Sequence, residues 1–183
     1  MEETELNAHE AWEAGNLALA LELFSICAAQ GSEGCMLDLG YFYDEGIGTP
    51  QDKKQAMYWY KRAYRLDSSS AASNIAILYR EQGRFNRAAQ WFRRAVHLKD
   101  GNAEVELAKL LIAGKGVRKS LPTAVEHLRN ALASDRITPA GIEEAEALLA
   151  QVQRGENSVG LYDNRRSIQA NSRSCRTICR RQY

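Results

Sequence analysis

Residues 74–98 read NIAILYREQGRFNRAAQWFRRAVHL, and residue type alone divides them into two helices and the turn between them. Ala76 and Tyr79 are spaced by one helical turn, and Gly83 interrupts the helix. Ala88, Phe92 and Ala95 then recur four and three residues apart, which makes one stripe on a second helix. The stripe is small, bulky, small. Small residues let two helix backbones approach closely, and the bulky residue between them fills the gap on the neighbour.

The same framework recurs on both sides of this stretch. It is carried by Ala8, Gly15, Ala20, Phe24 and Cys27, by Gly40, Gly46, Ala56, Tyr60 and Ala63, and by Ala108, Gly114, Ala124, Leu128 and Ala131. From Ala8 to Gly40 to Ala76 to Ala108 the steps are 32, 36 and 32 residues. One helix pair cannot cover such a stripe, so a period in this range predicts stacked pairs that bury a continuous core. The fold class expected is all-α, with helices near 4–14, 17–30, 34–45, 53–66, 70–82, 85–98, 103–113 and 121–133. Asp52 is the expected cap of the helix starting at Lys53, and Pro122 suits the first turn of its helix.

The third unit resembles a tetratricopeptide repeat in its small residue, later aromatic, turn glycine and Ala, aromatic, Ala series. The second and fourth units carry four extra residues between their helices, in the loops DEGIGTPQDKKQA and IAGKGVRKSLPTA. They resemble the longer Sel-1-like repeat. Leu39, Gly40, Tyr43, Gly46, Gly48, Asp52, Ala56, Trp59, Tyr60 and Ala63 meet that pattern in unit two. Ala108, Gly114, Gly116, Val117, Ala124 and Leu128 meet part of it in unit four. The resemblance implies an α-solenoid of helix-turn-helix repeats over residues 1–136. A capping helix at 137–154 follows, with Ile142, Ala145, Leu148, Leu149 and Val152 as its apolar stripe and glutamates on its wet face.

Residues 155–183 differ in kind. They hold six arginines against Glu156 and Asp163 and show no sustained apolar period, so they read as a basic, disordered or conditionally ordered tail. The chain as a whole has 24 Lys and Arg against 23 Asp and Glu, so its near-zero net charge conceals a mildly acidic array and a basic tail. No run approaches the roughly 20 apolar residues of a membrane span. The acidic start, with Glu2, Glu3 and Glu5, lacks the basic region of a secretory signal. A cytoplasmic location is the expectation.

Little in the sequence suggests catalysis. His9, His97 and His127 fall in three different repeats, and no HExxH, GxSxG or phosphate-loop pattern occurs. Gly46-Ile47-Gly48 and Gly114-Lys115-Gly116 follow helices and read as turns. Cys27 occupies a small packing position and Cys35 opens the next helix. A bridge between them fits the inter-repeat turn, while reduced cytosolic thiols are the simpler reading. Cys175 and Cys179 alone supply too few ligands for a closed zinc site. The expectation is therefore a non-enzymatic chain with no catalytic residues, no cofactor and no metal.

In stacked pairs of this family the first helices line a concave surface. Carried onto this chain, the resemblance implies a protein-binding groove of His9, Trp12 and Glu13, then Tyr41, Asp44 and Glu45, then Ile77, Arg80 and Glu81, and finally Lys109 and Ile112. Trp, Tyr and Arg are frequent binding hot spots. Tetratricopeptide grooves that clamp acidic chaperone tails use cations and asparagines; here Glu5, His9, Leu37, Tyr41, Ser70, Asn74, Asn102 and Glu106 stand at those places, which disfavours that partner. An adaptor or chaperone-like protein binding a peptide or protein is the leading expectation, with a bacterial immunity or effector-binding protein as its specific version by family analogy. The rival is nucleic acid or another acidic partner on the basic tail.

Overall fold

The computed structural model describes residues 2–155. The tail from 156 onward, and the binding expected of it, lie outside these residues. The chain divides into two compact units, Met1–Leu98 and a second beginning at Lys99. In the first unit the helices are α1 (Glu2–Glu13), α2 (Leu17–Ala29), α3 (Glu33–Glu45), α4 (Lys53–Tyr64), α5 (Ser69–Glu81) and α6 (Phe85–His97). The second has α7 (Gly101–Ala113), α8 (Leu121–Leu132) and α9 (Pro139–Gln153). The architecture is all-α, of the α-solenoid class. No strand occurs among the described residues.

Local chemistry fixes the boundaries. Side chains of Asn16, Ser32, Asp52, Ser68, Asp100, Ser120 and Thr138 each accept a hydrogen bond from an N–H in the first turn of the following helix. These donors have no partner within their own helices, so the caps stabilise each start. The two loop lengths read from the sequence are also present: residues 14–16 and 82–84 make short turns, and residues 46–52 and 114–120 make long ones. Both long loops begin with a left-handed glycine, Gly46 at φ 73° and Gly114 at φ 65°. Immediately after it, Ile47 N–H donates to the Phe42 carbonyl at 2.9 Å and Lys115 N–H to the Leu110 carbonyl at 3.1 Å. The loops then fold back, with Asp52 N–H on the Tyr43 carbonyl and Ser120 N–H on the Leu111 carbonyl. Gly-x-Gly is thus a turn in both places.

Within the first unit each helix packs on the next, α1 on α2 through to α5 on α6. The framework forms the contact: Ala8, Ala20, Phe24, Cys27, Ala56, Tyr60, Ala63, Ala76, Ala88, Phe92 and Ala95 are all buried. At Gly40 α3 comes close to α4: an added Cβ would lie 2.5 Å from Tyr60 Cε1. In the second unit α7 packs on α8, and α9 packs on both. The stripe expected on α9 is rotated slightly. Gly141, Ala145 and Leu148 are buried while Ile142 is exposed. Asn102 on α7 explains the rotation, because its Oδ1 accepts from both the N–H and the hydroxyl of Thr138 and draws the Gly141 backbone against α7.

Candidate protein-binding site

The first-helix residues singled out in the sequence fall into distinct environments. At the α1–α3 end, Trp12 is half-buried and meets Phe24 and Phe42 edge-on, with ring centroids 6.1 Å and 5.1 Å away. It also lies 6.1 Å from the half-buried Tyr41 ring and stacks beside His9 at 6.3 Å. Trp12 therefore both covers the core between the first two pairs and offers part of its indole to solvent, with the exposed Glu13 next to it. Such a ring has a large apolar body and needs little ordering on contact, which is the property of a binding anchor.

His9 reaches across to α3. Its Nε2 lies 3.4 Å from Asp38, a carboxylate that sequence reasoning passed over. Burial pushes Asp38 up to about 7, with the Glu5 charge adding to the effect. Burial also lowers the His9 pKa, against the opposing pull of Glu5 and Glu13. Burial thus disfavours the charged form of both side chains. Asp38 sits one helical turn before Tyr41 on α3, a spacing visible in the sequence, but only the fold shows that His9 is opposite.

Along α3 and α5, Asp44 and Glu81 are joined through Lys53 of α4. Lys53 Nζ bonds Asp44 Oδ1 and lies 3.1 Å from Glu81, and Tyr60 hydroxyl approaches Asp44 at 3.4 Å. Burial raises the Asp44 pKa, offset in part by Lys53. For Lys53, burial works downward, yet Asp44 and Glu81 outweigh it and hold the ammonium above its ordinary range. Glu45 beside it is exposed, and its pKa is raised by partial burial and the Asp44 charge. Asp44 and Arg80 are each only 8% exposed, and Ile77 is half-buried. Of the expected residues in this unit, the surface is offered by Trp12, Glu13, Tyr41, Glu45 and Glu81; Asp44 and Arg80 lie beneath it. Lys53 was missed because it comes from a second helix. The long loop returns the chain to the end of α3, where Gln51 Nε2 also donates to the Asp44 carbonyl at 2.7 Å.

Lys109 and Ile112 belong to the second unit, and both are buried. Lys109 Nζ is held by Glu106 at 3.0 Å and by Glu144 of α9 at 2.9 Å. Burial works against its ammonium, but the two glutamates prevail and keep its pKa above the ordinary value. In the same unit His127 Nδ1 meets Glu104. Lys109 thus ties α9 to α7.

A chain of helix-turn-helix pairs with buried small-bulky-small stripes and alternating loops is a repeat scaffold, a class that works by presenting side chains on its helical faces. The Sel1 repeat model matches residues 34–68, 70–100 and 101–135, more than half of the chain. The protein belongs to the Sel1 repeat family, whose members generally mediate protein–protein contacts. The third unit, read as tetratricopeptide-like from its small residue, aromatic, turn glycine and Ala, aromatic, Ala series, falls within these matches, and the α1–α2 pair lies outside them.

A sel1-like repeat-containing protein of Acanthamoeba polyphaga mimivirus is 24% identical over 121 residues, covering 64% of this chain and 22% of that protein. The chain thus spans about a fifth of the length of this relative. Among solved structures, a Sel1 repeat protein from Oxalobacter formigenes is similar with a TM-score of 0.68 and 22% identity, covering 84% of this chain and 61% of that one. The protein c5321, a protective antigen present in uropathogenic Escherichia coli strains and displaying an SLR fold, matches with a TM-score of 0.56 and 21% identity, over 79% and 42% of the two chains. These likenesses concern the fold. Among the described residues, no helix is long and apolar enough to cross a membrane.

Proposed function

We propose that the chain is a non-enzymatic, adaptor-like binding module that takes a peptide segment on the first-helix face of its first unit. The observation that carries this reading is the pairing of half-buried aromatics, Trp12 and Tyr41, with the exposed carboxylates Glu13, Glu45 and Glu81 on α1, α3 and α5. An apolar anchor beside negative charge suits a segment that carries an aromatic or aliphatic residue next to Lys or Arg. Residues 137–154 act in this reading as the cap that closes the array, and the cytoplasm is the compartment expected.

The test is selection of displayed random peptides against the full chain, followed by affinity measurement with the enriched sequences. Enrichment of basic residues beside an apolar anchor is expected. Trp12→Ala with Glu45→Lys should weaken binding by about 30-fold or more, the equivalent of roughly 2 kcal/mol for a hot spot. Lys61→Glu with Arg93→Glu, both exposed on α4 and α6, should leave it unchanged. If the second pair abolishes binding and the first does not, the second-helix surface carries the function and the proposal is wrong.

A further inference from the structure

Three potential metal ligands that are far apart in the sequence meet inside the first unit. Glu5 comes from α1, Cys27 from the last turn of α2 and Cys35 from the first turn of α3. One carboxylate oxygen and the two sulfurs all lie within 4.8 Å of one another. Both cysteines are fully buried as thiols rather than as a disulfide, and Glu5 is partly exposed. The Cys27 thiol points at Glu5 Oε2, 3.9 Å away, and the Ser32 hydroxyl donates to the same oxygen at 2.9 Å.

We propose that Glu5, Cys27 and Cys35 form a binding site for a borderline-soft divalent cation, zinc being the best match. Two thiolates and a carboxylate are ligands that zinc accepts, with Zn–S near 2.3 Å and Zn–O near 2.0–2.2 Å. Tetrahedral placement at those lengths puts the donors about 3.5–3.8 Å apart, so the three need to close by only about 1 Å. Ser32 supplies the outer hydrogen bond that orients a ligating carboxylate. Its hydroxyl also accepts from Cys35 N–H at 3.2 Å, so one residue fixes both the carboxylate and the helix turn that carries the sulfur. Entry is along the partly exposed Glu5 side, and the fourth position is left to water. Binding transfers the two thiol protons to solvent, leaves every oxidation state unchanged and joins α1, α2 and α3 through one ion.

The proposal is tested with the full chain carrying Cys175→Ser and Cys179→Ser, which removes the remaining two cysteines. The protein is reduced, stripped with chelator and titrated anaerobically with Co(II), then with Zn(II) in competition. The expected result is one ion per chain, a sulfur-to-cobalt charge-transfer band and displacement of cobalt by zinc. Cys27→Ala should preserve folding, because alanine occupies that framework place at Ala63, Ala95 and Ala131, and it should weaken binding by more than about 100-fold. Glu5→Gln should keep the charge-transfer band but bind at least about 10-fold more weakly. Absence of cobalt binding by the reduced protein, or binding that Cys27→Ala and Glu5→Gln both leave unchanged, overturns the proposal. So does a reduced sample in which both thiols stay equally reactive toward a thiol reagent with and without zinc.

Discussion

Gly40→Ala adds a single methyl group at a close contact between α3 and α4. The methyl carbon would lie 2.5 Å from Tyr60 Cε1 and 2.6 Å from Cδ1, closer than any real contact. Tyr60 is only 1% exposed, so its ring cannot swing into solvent. Alanine in a helix interior is intrinsically better than glycine by about 1 kcal/mol, and without the ring the variant would be stabilised. Overpacking a filled site costs about 1–3 kcal/mol, and here the obstacle is a rigid, buried ring whose hydroxyl is held by Asp44. The clash of a rigid ring falls toward the upper end of that range and outweighs the propensity gain, with an expected net loss of up to about 2 kcal/mol. The corresponding positions in the fourth unit hold Ala108 and Leu128, both buried, so an alanine is accommodated there opposite a smaller side chain. Tyr60→Leu should for that reason relieve the clash, giving a favourable coupling of about 1 kcal/mol or more in a double-mutant cycle. Urea unfolding followed by far-UV circular dichroism measures all four members of the cycle. Additive effects, or a Gly40→Ala protein more stable than its parent, would refute the close-packing argument.

Two other outcomes follow from buried charge. Asp38 rises from 3.8 to about 7 on folding, so between those values the folded protein holds a proton that the unfolded chain has released, and stability falls as pH rises through the window. The contribution is at most about 4 kcal/mol above pH 7. Asp38→Asn should thus match the parent near pH 4 and become progressively more stable than it toward pH 8, as followed by denaturant unfolding of reduced protein in chelator; a pH-independent difference between the two would dispose of the assignment. In the second unit, Lys109→Ala removes the cation between Glu106 and Glu144 and should cost about 3 kcal/mol, whereas Lys109→Met, which refills the volume, should recover most of it. Equal melting temperatures for the alanine variant and the parent would show that the Lys109–Glu144 bridge does not hold α9.

The repeat framework, the helix starts and the two loop lengths could all be read from the sequence because each depends on neighbours within about one helical turn. The sequence also disclosed that residues of α1, α3 and α5 lie off the packing stripe, and that nothing in them forms a recognised catalytic pattern. It did not disclose which of these reach the surface. Asp44 and Arg80 share the periodicity of Tyr41 and Ile77, yet burial of the first pair and partial exposure of the second arise from how one helix pair seats on the next. Lys53 joins Asp44 to Glu81 only because a loop of left-handed glycines returns it to the end of α3. Ile142 continues the apolar pattern of α9 and is nevertheless exposed, because Asn102 holds the helix start in another rotation. The meeting of Glu5 with Cys27 and Cys35 likewise needs three helices at once. Helical periodicity is a property of the chain alone, whereas the partner of a buried polar group is chosen by packing, since a charge removed from water binds whichever group the fold brings within reach.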